Sequence, residues 1–342
     1  MPIDSVQRSI HIRRRKNNIV FQNIDRLAAL SLQAKTHQDI LDGLHPWNAP
    51  IKLRFDNQLP VLLGLMGLAC CALIFFQADS IWLQCGFFAG LMMLFWAWIS
   101  YEHDKPIKQV IEQLETSVIE QKYQLKYFGQ PQHIDLPLQP ALLMAKLKQM
   151  FPLFDQGDYA NEIPLYASSI WEDDNGQKHS VLLFQYRYVN EIKMRDKDGK
   201  ETQVKLVEKF QWGVFVFEVD LYGLALSSTG RNFYYPYSFP WQTSDILLNQ
   251  KIKIFGSNQI DMVKQLSPSM VLRFADFFDK QHGNLLFHPE KNCLCFLGMK
   301  DLFQIQSKKN KIEDISTLRG HLRTFKLAHL ERLKTDLLQF LK

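Results

Sequence analysis

The chain has 342 residues and a formal net charge of +5, from 40 Lys and Arg against 35 Asp and Glu. The basic residues are scattered among the acidic ones rather than gathered in one stripe, which argues against a nucleic-acid-binding protein. The length is enough for one sizeable domain and helical arms in addition to a membrane segment.

Two uncharged apolar runs dominate the first third of the sequence. They cover Leu59 to Phe76 and Ile81 to Ile99, and the short polar link QADS joins them. At about 1.5 Å of helix rise per residue, each run covers most of the roughly 30 Å hydrocarbon core of a bilayer. The sequence therefore predicts a transmembrane helical hairpin at 59–101, with membrane lipid around it.

Basic residues flank the outer ends of this pair and are missing from the link. Lys52 and Arg54 precede the first run, and Lys105 and Lys108 follow the second. Cytoplasmic flanks of membrane proteins carry the excess of Lys and Arg. We therefore expect a two-span protein of the bacterial inner membrane with both termini in the cytoplasm.

Small residues recur at a spacing of four in each predicted span. Gly67 and Cys71 share one helix face, and Gly86 and Gly90 share another. Such faces let helix backbones approach closely, so we expect Gly67 to face Gly90 and Cys71 to face Gly86. Two alternatives stay open: ordinary span composition, and pairing of two chains through the Gly86 face.

Helical periodicity continues on both sides of the predicted spans. Apolar residues recur every three or four positions in the N-terminal arm, residues 1–58, and a heptad-like pattern follows in residues 102–129. We interpret the second segment as a helical stalk. It could pair with the N-terminal arm, with the remaining domain, or with a second copy in a homo-oligomer.

Strand patterns take over in a predicted cytoplasmic domain at 130–307. The turn pairs Asn175-Gly176 and Asp198-Gly199 separate strand-like runs, and FQWGVFVFEVD from Phe210 to Asp220 alternates along its length. Because strands come first and helices later, the expected fold class is α+β, with an antiparallel sheet covered on one side.

The predicted helices of this part carry start signals. Ser267-Pro268 places a capping residue before a proline at the first helical position. Asn310 with Glu313 suggests a capping pair for a basic amphipathic helix over 308–342.

Motifs of common catalytic and metal sites are missing from the sequence. It has no Gly-rich phosphate loop, HExxH pair, GxSxG elbow or paired CxxC. Cys293 and Cys295 share a predicted strand face and could bind a metal with His288, but without a second chelating pair buried thiols are favoured. No catalytic, cofactor or metal residue is predicted.

The most unusual surface candidate is RNFYYPYSFPW, from Arg231 to Trp241. Its two prolines exclude a regular helix, and its aromatics exceed what a connecting loop needs. We predict a partner-binding surface formed by Tyr234, Tyr235, Tyr237, Phe239 and Trp241. The alternative is that these rings fold under the sheet as a satellite core.

The segment FGSNQIDMVKQLSPSMVLRFADFF from Phe255 to Phe278, followed by NLLFHPEKNCLCFLG, resembles the bacterial domain-of-unknown-function family 3137. Phe210 and Gly213 match the Phe and Gly positions of a family strand, whereas Asn258 stands where an acidic residue is usual. The resemblance covers roughly 130–307. It implies an N-terminal pair of spans, structural rather than catalytic motifs, and a LemA-type membrane protein as partner.

These patterns together favour a membrane-anchored protein-interaction or scaffold module rather than an enzyme. Two alternatives stay open: a membrane-bound hydrolase of unrecognised type, and a subunit of a transport assembly. A concave pocket with converging carboxylates, His or Arg would favour catalysis, whereas an exposed apolar patch would favour a partner.

Overall fold

The computed structural model describes residues 15–48, 50–72, 81–131, 136–137, 139–195, 201–306 and 312–341. The chain divides into two compact units, Met1–Gln121 with Ser307–Phe325, and Lys122–Gln306 with Lys326–Lys342. The QADS link, the Asp198-Gly199 turn and Asn310 lie outside the described residues.

The described helices are α1 (Arg15–Gln33), α2 (His37–Gly43), α3 (Gln58–Ala72), α4 (Ile81–Ser100), α5 (Lys105–Lys122), α6 (Pro140–Met150), α7 (Ile246–Lys251), α8 (Gln259–Gln265), α9 (Pro268–Lys280), α10 (Ile315–Thr324) and α11 (Ala328–Leu338). The described strands are β1 (Lys126–Tyr127), β2 (Ala160–Glu172), β3 (Lys178–Arg195), β4 (Glu201–Phe217), β5 (Leu224–Ser227), β6 (Phe239–Trp241), β7 (Lys253–Gly256), β8 (Gly283–Phe287) and β9 (Cys293–Gly298).

One helical stretch of the described chain, Gln84–Lys122, is long and apolar enough to cross a membrane. Its apolar part is α4, whereas α5 is rich in charged residues. Helix α3 is also apolar but shorter, and its described part ends at Ala72.

Helix α5, the predicted stalk, packs inside its own chain. Its buried face consists of Ile107, Val110, Leu114, Val118 and Ile119. The amide Nε2 of Gln121 donates a hydrogen bond to the carbonyl oxygen of Ala34 at 2.8 Å, just beyond α1. In α10, Nε2 of His321 lies 2.7 Å from a carboxylate oxygen of Glu115. Of the pairings that the sequence left open for the stalk, the structure contains packing with the N-terminal arm.

The strands of the second unit form a nine-stranded antiparallel sheet in the order β1-β2-β3-β4-β9-β8-β5-β7-β6. The predicted α+β class is therefore confirmed. The β2–β3 turn contains Asn175 and Gly176 as expected, and Gly176 has a φ of 80°, the left-handed region that glycine tolerates best.

Both faces of this sheet are covered, so the prediction of a sheet covered on one side is wrong. On one face, the ring of Phe151, which follows α6, lies 5.3 Å from the ring of Phe215 in β4. On the other face, Phe277 of α9 lies 5.4 Å from Phe296 of β9. The central strands are apolar on both sides, and apolar surface on either side must be removed from water.

The single helix predicted over 308–342 is also wrong. Helix α10 begins after Asp314, whose side chain caps it through the backbone N–H of Thr317. Phe325 and Leu327 are then fully buried, at 1% and 0% exposure. The backbone at Phe325 is extended, with a φ of −69° and a ψ of 121°, so α10 ends there and α11 begins separately at Ala328.

Gly213 in β4 is required by the ring of its cross-strand neighbour. It lies directly opposite Phe184 of β3. A Cβ atom added to Gly213 would lie 2.2 Å from Cζ of Phe184, much closer than van der Waals contact. Since Phe184 is fully buried, its ring has little space into which it can move.

We expect Gly213→Ala to lower the free energy of unfolding by about 1–3 kcal/mol, because the added methyl group overpacks the core. Denaturant titration of the full chain, followed by tryptophan fluorescence, measures this change. Gly320→Ala is the matched control, since a Cβ atom at Gly320 meets no atom within 4 Å. Equal stability of the parent and the Gly213→Ala variant would contradict the packing argument.

Candidate partner-binding site

The aromatic loop between β5 and β6 begins at a fixed polar anchor. Ser227, at the end of β5, is fully buried. Its Oγ accepts hydrogen bonds from the backbone N–H groups of Thr229 and Arg231, at 3.2 and 3.1 Å. The hydroxyl of Thr229 in turn donates to Oδ1 of Asn284 in β8 at 3.1 Å. These bonds fix the first residues of the loop to the sheet.

Two cationic side chains hold the next part of the loop. Arg231 donates from Nη2 to the carbonyl oxygen of Pro152 at 2.8 Å. Burial lowers the pKa of the Arg231 guanidinium. The group nevertheless stays protonated, because the ordinary pKa of a guanidinium lies far above neutral pH. Lys253 of β7 donates from Nζ to the carbonyl oxygen of Gly230 and to Oδ1 of Asn232, at 2.9 and 2.8 Å.

Two rings of the loop, Phe233 and Tyr237, belong to the core. Tyr237 is 0% exposed, and its hydroxyl donates a hydrogen bond to the carbonyl oxygen of Phe287 at 3.0 Å. Burial raises the pKa of the Tyr237 hydroxyl far above its ordinary value. The ring of Phe233 lies 5.7 Å from the ring of Phe255 in β7. Tyr237, predicted as a partner-binding residue, is therefore a structural anchor, as the satellite-core alternative proposed.

The rings between these anchors point outward. Tyr234 and Tyr235 are 78% and 88% exposed. The backbone N–H of Tyr237 donates to the carbonyl oxygen of Tyr234 at 2.7 Å, which closes a tight turn around them. The turn therefore presents two large amphipathic rings to solvent from a backbone that is tied down on both sides.

The last two predicted residues lie on β6, which ends the sheet. Phe239 is 45% exposed, and Trp241 is partly buried. Phe239 and Trp241 lie opposite Gly256 and Ile254 of β7. Pro240 between them has no N–H to offer, and the strand is short, so this sheet edge is poorly suited to strand addition. Contacts here would be made by side chains.

Two short helices that flank β7 in the chain were not predicted from the sequence. Helix α7 exposes Ile246 and Leu247, at 72% and 70%, and α8 exposes Ile260 and Val263, at 65% and 61%. Each begins at an Asx cap: Asp245 accepts from two backbone N–H groups, and Asn258 accepts from one. The sequence signal that could have predicted these helices is an Asp or Asn directly before a short apolar run.

The cap explains why position 258 can carry an amide in place of an acidic residue. Its Oδ1 accepts from the backbone N–H of Ile260 at 2.9 Å. An aspartate would accept the same bond, and Asn and Asp are almost equally good N-caps.

The thiols of Cys293 and Cys295 are buried in the sheet. Burial raises the pKa of Cys293 to about 12 and that of Cys295 well above its ordinary value. Nδ1 of His288 accepts from the backbone N–H groups of Glu290 and Lys291, at 3.1 and 3.0 Å. Across the described part of the chain, no three His, Cys, Asp or Glu side chains group into a metal-ligand set.

The structure brings together one of the two predicted pairs of small residues in α3 and α4. A Cβ atom added to Gly67 would lie 2.9 Å from the carbonyl oxygen of Gly90. Cys71 does not face Gly86: its Sγ would lie 2.8 Å from a Cβ atom on Gly90, and a Cβ atom on Gly86 meets no described atom within 4 Å. The backbones of α3 and α4 therefore come close together at Gly67 and Gly90.

We expect Cys293 and Cys295 to resist alkylation in the folded chain, because the thiolate is the reactive form. At pH 8 a thiol with a pKa of about 12 has a thiolate population about a thousandfold below that of an ordinary cysteine. Maleimide labelling with peptide mass mapping measures this. Ser238→Cys, on the exposed loop, is the positive control. Rapid labelling of Cys293 in the native chain would contradict its burial.

Comparisons of the chain with protein-family models, with curated proteins and with solved structures find no match. The resemblance to the domain-of-unknown-function family 3137 therefore stays a prediction from the sequence.

Proposed function

We propose that the chain is a two-span protein of the bacterial inner membrane, with both termini in the cytoplasm, whose α+β unit is a protein-interaction or scaffold module. The length and apolar composition of α4 support the membrane location. Basic residues at both outer flanks, and none in the link, support the orientation.

The close approach of α3 and α4 supports a hairpin. At Gly67 the backbones come near enough that any side chain would displace an atom of the other helix. In lipid, helix association depends on van der Waals packing of this kind rather than on the hydrophobic effect. A second span that packs closely on the first fits that requirement.

The observation that carries the interaction role is the exposure of Tyr234 and Tyr235 on an anchored turn. Tyr side chains bury a large area on binding and lose little rotamer entropy, which makes them frequent energetic anchors at interfaces. The backbone of the turn is held by the buried Tyr237 and by the bonds to Ser227. A fixed turn loses little further entropy on binding.

The surroundings of the turn extend the apolar surface. Phe239 of β6 and the aliphatic pair Ile246 and Leu247 of α7 are exposed on elements that adjoin the loop in sequence. Apolar exposure of this kind on neighbouring elements is typical of protein-binding surfaces. The polar groups that open the loop, Ser227 and Arg231, are engaged within the chain, so recognition would depend on shape and apolar contact.

The partner that we would test first is a LemA-type membrane protein, which the family resemblance implies. Such a partner would share the membrane with this chain, which raises the effective concentration of each for the other.

The proposed orientation predicts where a reporter is active. A cytoplasm-dependent reporter fused after Lys342 should be active, and a periplasm-dependent reporter at the same position should be silent, because the basic flanks keep both ends in the cytoplasm. The same reporters inserted between Ala78 and Asp79 should show the opposite pattern. Periplasmic activity after Lys342 would overturn the orientation.

The proposed surface predicts the effect of removing its rings. Tyr234→Ala with Tyr235→Ala should abolish co-purification of the LemA-type protein from mild detergent and leave membrane insertion and thermal unfolding unchanged. Loss of two interface tyrosines typically costs about 2–4 kcal/mol of binding free energy in total. Tyr159→Ala is the matched control, since Tyr159 is 62% exposed at a different site.

A second variant separates this surface from a thiol or metal site. Replacing Cys293, Cys295 and His288 together should affect stability alone. If this variant folds and loses the partner while the tyrosine variant keeps it, the aromatic surface is not the binding site.

A further inference from the structure

The β3–β4 hairpin continues beyond the rest of the sheet. Strand β2 pairs with β3 only as far as Val189, and β9 pairs with β4 only from Trp212 onward. The β3–β4 pairing itself extends to Arg195 and Glu201. Residues 190–195 and 201–207 thus form a two-stranded ribbon, which we call the β3–β4 ribbon, and the outer edge of β4 continues without a described partner strand to Gln211. Two strands alone are only marginally stable in water.

The two outer edges of the β3–β4 ribbon differ. On the β3 side, the carboxylate of Asp158 accepts a hydrogen bond from the backbone N–H of Glu191 at 2.9 Å, and the backbone N–H of Tyr159 donates to the carbonyl oxygen of Val189 at 3.0 Å. On the β4 side, no strand among the residues that the structure describes pairs with 201–211. An edge of this kind presents alternate N–H and C=O groups to any strand that can reach them.

The free edge also carries apolar side chains on one face. Val204, Leu206 and Phe210 are 59%, 50% and 37% exposed, and their spacing of two and four residues places them on the same side of β4. Glu208, on this side as well, forms an ion pair with Arg187 of β3. Lys205 and Lys209 point to the opposite face. An exposed apolar edge strand is the surface to which strands add.

Among registers centred on Lys205, Leu206 or Val207, in the middle of the free edge, charge favours the one centred on Leu206. In an antiparallel pair related by a two-fold axis through Leu206, each Leu206 lies opposite its counterpart, Lys205 lies opposite Val207, and Val204 lies opposite Glu208. No like charges are then directly opposite. An axis through Lys205 would oppose two lysines, and an axis through Val207 would oppose Lys205 to Lys209. Like charges directly across a strand pair are destabilising.

We propose that the chain forms a two-fold dimer in which the β4 edges of two β3–β4 ribbons pair antiparallel, centred on Leu206. The pairing satisfies the free backbone groups of both edges and converts two ribbons into a four-stranded sheet. It buries Val204 and Leu206 of both copies against each other. The interface is isologous, as closed homodimers require.

The test uses the full chain in mild detergent, in a background where Cys70, Cys71 and Cys85 are replaced by Ala. Leu206→Cys places two thiols at the axis, so mild oxidation should give a disulfide-linked dimer as the main species on a non-reducing gel. Ile192→Cys is the matched control: Ile192 is 49% exposed but lies on β3, and it should stay monomeric on the gel.

A second variant tests the same register without a cross-link. Leu206→Lys puts two like charges at the axis and should weaken dimerisation at least tenfold in analytical ultracentrifugation. Leu272→Lys, the same substitution at a residue of α9 that is 66% exposed, should leave dimerisation unchanged. Tryptophan fluorescence unfolding checks that each variant folds. A monomeric parent, a dimer in which Leu206→Cys does not cross-link, or cross-linking of Leu206→Cys to a different protein would each overturn the proposal.

Discussion

The central constraint on the α+β unit is that its middle strands are apolar on both faces. In β4, the side chains of Val214 and Val216 point to one side of the sheet and that of Phe215 to the other, and all three are fully buried. Leaving either face in water would forfeit about 25 cal/mol for each Å² of apolar surface. The segments that cover the two faces therefore come from far apart in the sequence: α6 and the following residues on one side, and α9 and α11 on the other.

The same constraint shapes the aromatic loop. Phe233 and Tyr237 complete the core beneath β5, β7 and β8, and Tyr237 satisfies its hydroxyl on a sheet carbonyl so that its burial costs little. With these two rings held inside, the turn between them has no room for Tyr234 and Tyr235, which face solvent. The proposed partner surface on the loop would use side-chain contacts, whereas the proposed dimer edge of β4 would use backbone hydrogen bonds.

Much of this architecture could be predicted from local sequence signals. The Ser267-Pro268 pair marks the start of α9, and Asn175-Gly176 marks the β2–β3 turn, because each depends on backbone preferences within a few residues. The short helices α7 and α8 were missed, since fewer than eight residues carry too little periodicity. The end of α10 at Phe325 was not predicted, because several residues around it are good helix formers. The burial of Phe325 and Leu327 overrides that preference.

The sequence by itself determined the apolar runs of α3 and α4, the α+β class and the antiparallel hairpins, because uncharged length, alternation and turn residues act locally. Only the tertiary structure decided which rings of the aromatic loop are anchors and which are exposed. All are aromatic and closely spaced, so no local pattern separates Tyr235 from Tyr237. Tyr237 is an anchor because its hydroxyl reaches the carbonyl oxygen of Phe287, and Phe233 is an anchor because its ring packs beside the ring of Phe255. Strands that follow the loop in the chain bring both partners to it.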